Sequence, residues 1–449
     1  MAPDRKHKLQ DNHADKTLES NHRAKNAKIQ DNSTLKNSEV YYTDGGLQRI
    51  RPYYHQFATY AKGRWVGRTI FDVFTKEFRD RNAEYYERAI EAGLIELNGK
   101  SVDKDTVVRN GDLVTHYIHR HEPPVTTQSL GIVRETEDGL LVIDKPGSIP
   151  VHPSGRYSYN TVLRILEIKH GYKSLFPVNR LDRLTSGLML IGLNADVARQ
   201  LKTNMVEHTI QKEYVCKVVG KFPEGKIICD QPIRVVAHKL ALNCVDTEQG
   251  KPSLTEFERL RVDGDYSIVY CRPKTGRTHQ IRVHLQFLGF PIANDPLYNN
   301  TEVWGDNLGK DGMPPTISEQ SNDGNLEISR ALEKPVFDPA LRPTKMAGKC
   351  DEEGNNGAWS GVIRRMEDWQ AKQDAVRQVN SNSDGPRMCE VCENPNMPDP
   401  TPEQLCIWLH ALRYSGPGWS FKTTLPDWAK DVAVEIEQVM YRPEMQKDN

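Results

Sequence analysis

The sequence predicts an α+β protein with a mixed, mainly antiparallel sheet and flanking helices, preceded by a smaller α+β domain. Three observations lead there. Short apolar runs with strand character outnumber helical patterns and do not alternate with helices as βαβ units would. The stretch from Gly67 to about Tyr117 carries two helical repeats and then a hairpin signal. The chain's 449 residues leave room for about three domains at roughly 150 residues each.

Residues 1–50 read as a disordered polar tail, with order beginning near Arg51, because Lys, Asn and Asp dominate and large apolar residues are scarce. Asp4, Asp11, Asp15 and Glu19 argue against an Arg-rich, acid-poor mitochondrial presequence, so cytoplasm or nucleus is expected. A small domain follows over 62–121. Ile70, Val73, Phe74 and Phe78 keep helical spacing, and Tyr86, Ala89 and Ile90 repeat it, with Gly93 suited to a helix end. Leu94–Leu97, the turn pair Asn98-Gly99 and a strand ending at Gly111–Val114 form the hairpin. Lys62, Arg64, Arg68, Lys76, Arg79, Arg81 and Arg88 decorate its helices as a solvated face or an RNA-binding surface.

A larger domain is expected over 130–449. Its strands are the run from Gly139 into a Pro146-Gly147 turn, Leu188–Leu193, Glu213–Val219, Ser267–Cys271 and Gln280–Leu285, with a helix at Thr161–His170. From about 300 to 402 the chain turns polar and rich in Gly, Asn, Ser and Pro, too long for an ordinary loop and read as an insertion. Helices are expected over Glu403–Arg413 and from Pro426 onward.

Charge is balanced at 60 basic and 61 acidic residues, so any nucleic-acid surface must be local. No apolar run reaches the ~18 residues of a membrane-spanning helix. The eight cysteines read as reduced thiols. Cys389 and Cys392 form a lone CxxC, with only Cys350, Cys406 and His410 nearby as further zinc ligands. That spacing matches no defensible zinc pattern, so ordinary thiols and no metal are expected, with a structural zinc at this pair left as the alternative.

Three stretches could carry chemistry. In Asn179-Arg180-Leu181-Asp182-Arg183-Leu184-Thr185-Ser186-Gly187, a carboxylate stands between arginines before an apolar strand. The arginines favour its ionised form. By pattern alone the cluster could be a solvated ion-pair loop. In Lys212–Val218, alternation places Lys212, Tyr214 and Cys216 on one face, where a tyrosine is ordinarily packing. In Arg277-Thr278-His279-Gln280-Ile281-Arg282-Val283-His284, read as a strand, Arg277 and His279 share one face while Gln280, Arg282 and His284 share the other. So many polar side chains in a strand would be expensive to bury unpaired and could grip phosphates. His279 and His284 point apart in a strand and have no Cys or acidic partner for a metal.

"NRLDRLTSGL" resembles the signature loop of RluA-type pseudouridine synthases, usually written HRLDxxTSG, with Asn179 where His is usual. "TGRTHQIRVHLQFLGFPIANDPLY" resembles the family's C-terminal signature. "GLLVIDKPGSIPVHPSG", with a structural Lys-Pro turn, and "IWLHALRY" with "FKTTLPDW" are similar to its opening and closing segments. The resemblance implies the pseudouridine synthase fold, an S4-like small domain and an isomerase that needs no cofactor. It implies Asp182 as nucleophile, Arg282 as its ion-pair partner and Tyr214 against the target base. Arg180, Arg183, Thr185, Arg277, His279, Gln280, Arg64 and Arg68 are expected to hold RNA or shape the site. "GGLQRIRPYYHQFATYAKGRWVGRTIFDVFTKEFRDRNAEYY" is similar to the eukaryotic branch acting on tRNA at anticodon-loop nucleotide 32. That makes tRNA the expected partner, with no obligate protein partner inferred. Two other readings stand against this. A purely RNA-binding protein would not need the Asp182, Tyr214 and Arg282 set. A glycosidic hydrolase would want two cooperating carboxylates.

Overall fold

The computed structural model describes residues 40–78, 82–237, 241–312 and 399–440. Its secondary structure opens with the hairpin β1 (Tyr41–Asp44) and β2 (Leu47–Ile50). Order therefore begins before Arg51, the first correction to the sequence reading. The turn residues Gly45 and Gly46 both have positive φ, as a tight two-residue hairpin requires. Leu47 and Ile50 are buried. Tyr41 Oη donates to the Tyr159 carbonyl at 2.7 Å, and Gln48 Nε2 donates to Asn160 at 3.1 Å. The hairpin thus belongs with the larger of two compact units, which takes residues from Lys36–Pro52 and His121–Asn449.

The smaller unit is Tyr53–Arg120. It contains β3 (Tyr53–Tyr60), α1 (Ile70–Glu77), α2 (Ala83–Glu91), β4 (Ile95–Leu97), β5 (Lys100–Ser101) and β6 (Leu113–Arg120), with sheet order β3-β6-β4-β5. Strand β3 starts nine residues before the expected boundary at Lys62, and β6 begins at Leu113 where a strand end was expected. Thr69 and Asn82 cap α1 and α2 by accepting from the backbone of Asp72 and Tyr85. Ile70, Val73, Phe74, Tyr86, Ala89 and Ile90 bury the predicted stripes against Ile95, Leu97 and Val114. Asn98 and Gly99, at φ 53° and 74°, make the hairpin turn between β4 and β5. Arg79 and Arg81 lie outside the described residues.

The larger unit continues with β7 (Val125–Thr126), β8 (Gly131–Glu135), β9 (Leu140–Lys145), α3 (Val162–His170), β10 (Phe176–Pro177), β11 (Ser186–Gly192) and α4 (Ala195–Val206). Then come β12 (Gln211–Val219), β13 (Lys226–Asp230), β14 (Ile233–Ala237), β15 (Leu242–Val245), β16 (Leu254–Asp263) and β17 (Tyr266–Pro273). The last elements are α5 (Gln280–Phe287), α6 (Thr301–Trp304), β18 (Leu409–Gly416), β19 (Trp419–Lys422) and α7 (Ala433–Met440). A ten-stranded sheet runs β13-β16-β17-β12-β18-β11-β9-β8, with β10 on β11 and β19 on β18. Its pairings are antiparallel except β11 with β18. The sheet is thus mixed and mainly antiparallel, as the sequence predicts.

Two predicted elements change type. Gln280–Phe287 is a helix, not a strand. Ile281 and Leu285 are four apart and both enter the main core, so the apolar spacing satisfied a 3.6 period as well as alternation. Glu403–Arg413 is not a helix. A 3₁₀ turn at Pro402–Gln404 leads into β18, a central strand with Leu409, Ala411 and Leu412 buried. Leu409 and Ala411 enter the main core while Leu412 packs with Val432 and Ile436 near the C-terminus. An apolar run buried on both faces shows neither period clearly. The start of the polar insertion is structured too, for Val303 and Trp304 of α6 are buried. Residues 313–398, including Cys350, Cys389 and Cys392, lie outside the described residues.

One irregularity positions the site. The β12–β18 register shifts between Glu213, opposite Arg413, and Tyr214, opposite Ala411. Leu412 is the extra residue of this bulge. Residues paired across antiparallel strands share a face. Lys212 pairs with Tyr414, so the bulge carries Tyr414 onto the Tyr214 side, while Arg413 turns to an ion pair with Glu213.

Candidate active site

Asp182 sits in a turn closed by the Thr185 N–H donating to the Asp182 carbonyl at 3.1 Å. The chain then enters β11 at Ser186. Gly187 explains the glycine of the loop: its φ is 110°, and a Cβ there would lie 2.2 Å from the Ala411 carbonyl oxygen. No L side chain fits where β11 and β18 pass this closely. From behind, the fully buried Lys145 Nζ donates to the carbonyls of Pro146 and Ile149, each at 2.8 Å, and of Arg183 at 3.2 Å. Burial pulls this amine down to about 7. Three convergent carbonyls nonetheless match the three donors of an ammonium. The Lys-Pro turn of the sequence reading is therefore the clamp under the Asp182 loop. Ser186 Oγ meets His410 Nδ1 at 2.9 Å, and His410 Nε2 meets Thr423 Oγ1 at 2.8 Å. Both nitrogens of His410 are thus occupied, which removes it from the zinc candidates.

The Asp182 side chain is 26% exposed. Arg282 Nη1 donates to its Oδ2 at 3.1 Å, and His279 Nε2 stands 3.5 Å from the same oxygen. Both approach because the segment is helical. His279, the N-cap at φ 57°, and Arg282 are three residues apart, which is one side of a helix but opposite sides of the strand predicted from sequence. Burial by itself raises the Asp182 carboxyl, but His279 and Arg282 together outweigh it and hold it below its usual range. Burial lowers His279 to about 4, so its ring is neutral near pH 7. Its Nδ1 lies 2.9 Å from Tyr298 Oη, which accepts the Asn243 N–H. The Tyr298 hydroxyl hydrogen can then serve Nδ1, leaving Nε2–H to face Asp182. The full positive charge at the carboxylate is therefore Arg282.

Arg282 is held in turn by a residue that the sequence reading left unassigned. Asp295, with its side chain fully buried, accepts from Arg282 Nε at 2.6 Å and Nη2 at 2.9 Å. Its Oδ1 also accepts the N–H groups of Leu297 and Tyr298. The guanidinium lies over the Tyr298 ring, 4.9 Å from the centroid. One arginine is thus clamped bidentately by a buried carboxylate and presents its remaining nitrogen to Asp182. Asp295 lies in the quoted C-terminal signature as an isolated acid in "FPIANDPLY", which was the available signal.

Tyr214 is buried, and its hydroxyl lies 2.7 Å from that of Tyr414. Burial pushes the Tyr214 phenol up to about 12, and the Asp182 charge adds to the rise. Asn179 Nδ2 donates to Tyr414 Oη at 3.2 Å, and Asn179 Oδ1 accepts the Leu190 N–H at 3.1 Å.

The remaining predicted residues divide. Arg180 is exposed beside the loop. Arg183 lies over the Tyr157 ring at 5.8 Å. Thr185 is buried, and its hydroxyl has no partner among the described residues. Arg277 is exposed and donates through Nε to the Pro252 carbonyl. Gln280 is buried with its amide saturated, donating to Leu254 O and Thr255 Oγ1 and accepting from Thr275 Oγ1 and Arg277 N. It holds the loop and has no bond left for RNA. Arg64 and Arg68 lie in the smaller unit, ion-paired with Glu77 and, for Arg68, also Asp72. Among the described residues no His, Cys, Asp and Glu cluster could hold a metal.

The site is a partly exposed ionised carboxylate, fixed by a clamped arginine and a neutral imidazole, on a rigid loop near a buried phenol. On a mixed sheet of this topology, that set defines a pseudouridine synthase. The RNA pseudouridylate synthase family model matches residues 139–287. Human pseudouridylate synthase RPUSD2 is 41% identical over 87% of this chain and 75% of its own length. The Saccharomyces cerevisiae protein named tRNA pseudouridine(32) synthase, mitochondrial, is 41% identical over 86% and 78%. A second yeast protein, tRNA pseudouridine(31) synthase, is 31% identical over 89% and 99%. The chain belongs to the RluA-type pseudouridine synthase family and is an RNA pseudouridine synthase.

Proposed function

We propose that the enzyme isomerises a uridine in the tRNA anticodon loop, at nucleotide 32, with Asp182 as nucleophile. The observation that carries the role of Asp182 is its ionised, partly exposed carboxylate on a loop pinned by Lys145 and faced by Arg282. The target uridine leaves its stack to reach it, which costs a few kcal/mol and is easiest in a loop. The reaction breaks the bond between ribose and uracil nitrogen and joins the same ribose carbon to a uracil carbon. A carboxylate can hold the nucleotide covalently while the base turns. Tyr214 offers an aromatic face and a hydroxyl to that base, while Arg180, Arg183 and Arg277 lie on the surface where phosphates can be gripped. Two yeast relatives named for tRNA positions 31 and 32 support the substrate. The test is pseudouridine mapping of unmodified tRNA transcripts with wild type and Asp182→Ala. Product at nucleotide 32 with wild type alone supports the reading. Equal modification by the variant refutes the nucleophile, and modification of another RNA only refutes the substrate.

The helix–helix–hairpin order of the smaller unit supports reading it as an S4-like RNA-binding module. Replacing Arg64 and Arg68 together by alanine should then raise KM for RNA and flatten its salt dependence; an unchanged KM would remove that role. The acidic residues of the first forty positions support a cytoplasmic or nuclear enzyme, which imaging of a tagged full chain would test.

A further inference from the structure

We propose that Tyr414 and Asn179 are positioning residues that orient the Tyr214 hydroxyl and leave its hydrogen free for the bound base. The proposal rests on the reading that Tyr214 faces that base. The direction of the chain follows from donor chemistry. The Leu190 N–H can only donate, so the Asn179 atom accepting it at 3.1 Å is the amide oxygen. The amide nitrogen therefore faces Tyr414 Oη at 3.2 Å and can only donate to it. An oxygen that accepts one hydrogen bond becomes a better donor of its own hydrogen. Tyr414 Oη accordingly passes its hydrogen to Tyr214 Oη, 2.7 Å away. With that acceptor role filled, Tyr214 keeps its own hydrogen, which has no other partner among the described residues. The hydroxyl becomes a directed donor rather than a rotor. A uracil carbonyl oxygen is the acceptor that such a donor would meet.

The backbone shows how Tyr414 gets there. Without the extra residue at Leu412, alternation would put Tyr414 on the opposite face from Ala411. The bulge places both with Tyr214. Bulges that re-aim a side chain beside a site are a recurrent device. Asn179 stands where the family signature most often has histidine. A histidine can also accept the Leu190 N–H through one ring nitrogen and donate through the other.

The experiment is a cycle of Tyr414→Phe, Tyr214→Phe and the double variant, with kcat and KM read on a tRNA substrate and the urea midpoint read alongside. Tyr414→Phe should lower kcat about three- to tenfold, the scale of one hydrogen bond, with KM unchanged. It should have no further effect in the Tyr214→Phe background. Asn179→Leu should lower kcat to a similar degree, and Asn179→His should restore it. If Tyr214→Phe turns over at the wild-type rate, the reading of Tyr214 fails, and the proposal with it. If Tyr214→Phe is slow while Tyr414→Phe is at wild-type rate, the proposal alone is overturned. Losses that add in the double variant, or variants that shift only the urea midpoint, overturn it too.

Discussion

The Asp295–Arg282–Asp182 chain can be broken at its buried end without touching the nucleophile. In Asp295→Asn, the amide oxygen will take the Oδ1 place, since that oxygen accepts the Leu297 and Tyr298 N–H groups and Arg282 Nη2. The amide nitrogen then falls at the Oδ2 place, facing the Arg282 Nε–H at 2.6 Å. A donor meets a donor, and one charge-assisted hydrogen bond becomes a repulsion. Removing one partner of a buried ion pair costs about 3–5 kcal/mol. Arg282 keeps Asp182 as a second carboxylate, so the loss should fall near the lower end, about 3 kcal/mol. Urea unfolding followed by circular dichroism should show a lower midpoint with an unchanged slope. The guanidinium, freed on one side, should no longer fix Asp182, and kcat should fall at least tenfold on the scale of a misplaced catalytic group. A variant with the wild-type midpoint and wild-type kcat would show that Asp295 does not hold the site together.

Two further outcomes follow from buried cations and imidazoles. Lys145→Met strands the carbonyls of Pro146, Ile149 and Arg183. At about 1–3 kcal/mol for each orphaned acceptor, it should lose roughly 3 kcal/mol or more and slow turnover; a wild-type thermal midpoint would remove its clamp role. Burial lowers His279, His284 and His410 to about 4, so between about 6.5 and 4 the unfolded chain binds these protons and the folded chain does not. Asp144, raised by burial to about 6, takes up a proton in the fold over the same window and offsets one of the three. Stability should therefore fall with acid by up to about 3 kcal/mol per pH unit, from two net protons, as urea midpoints at pH 7, 5.5 and 4.5 would show. A flat profile would mean that these histidines charge within the fold.

Much of the sheet was legible because its strands are short apolar runs between turns. Val215, Val218 and Leu188–Ile191 are residues that a half-buried or central strand selects. The two misread elements have different causes. The helix at Gln280–Phe287 buries Gln280, Arg282 and His284 with partners from distant segments, and sequence spacing cannot show such satisfaction. The strand at Leu409–Gly416 is apolar on both faces, so neither period stands out. Asp182 and Arg282 were readable from the dense motifs around them. Asp295 and Tyr414 were not assigned, because their significance lies in partners 13 and 200 residues away. Tyr414 also depends on a bulge, and a single inserted residue leaves no mark on local pattern.

The place of β18 in the sheet has a consequence for the life of the molecule. It lies between β12 and β11, so it joins two half-sheets that are otherwise not hydrogen-bonded neighbours. Those halves leave the ribosome long before residues 409–416 do, each with a bare edge awaiting the same late strand. Such distant pairing makes for slow closure and prolonged exposure of edges to misassembly. A premature stop upstream of Leu409 would therefore leave Asp182, Tyr214 and Arg282 all synthesised, yet the two half-sheets would have no strand between them.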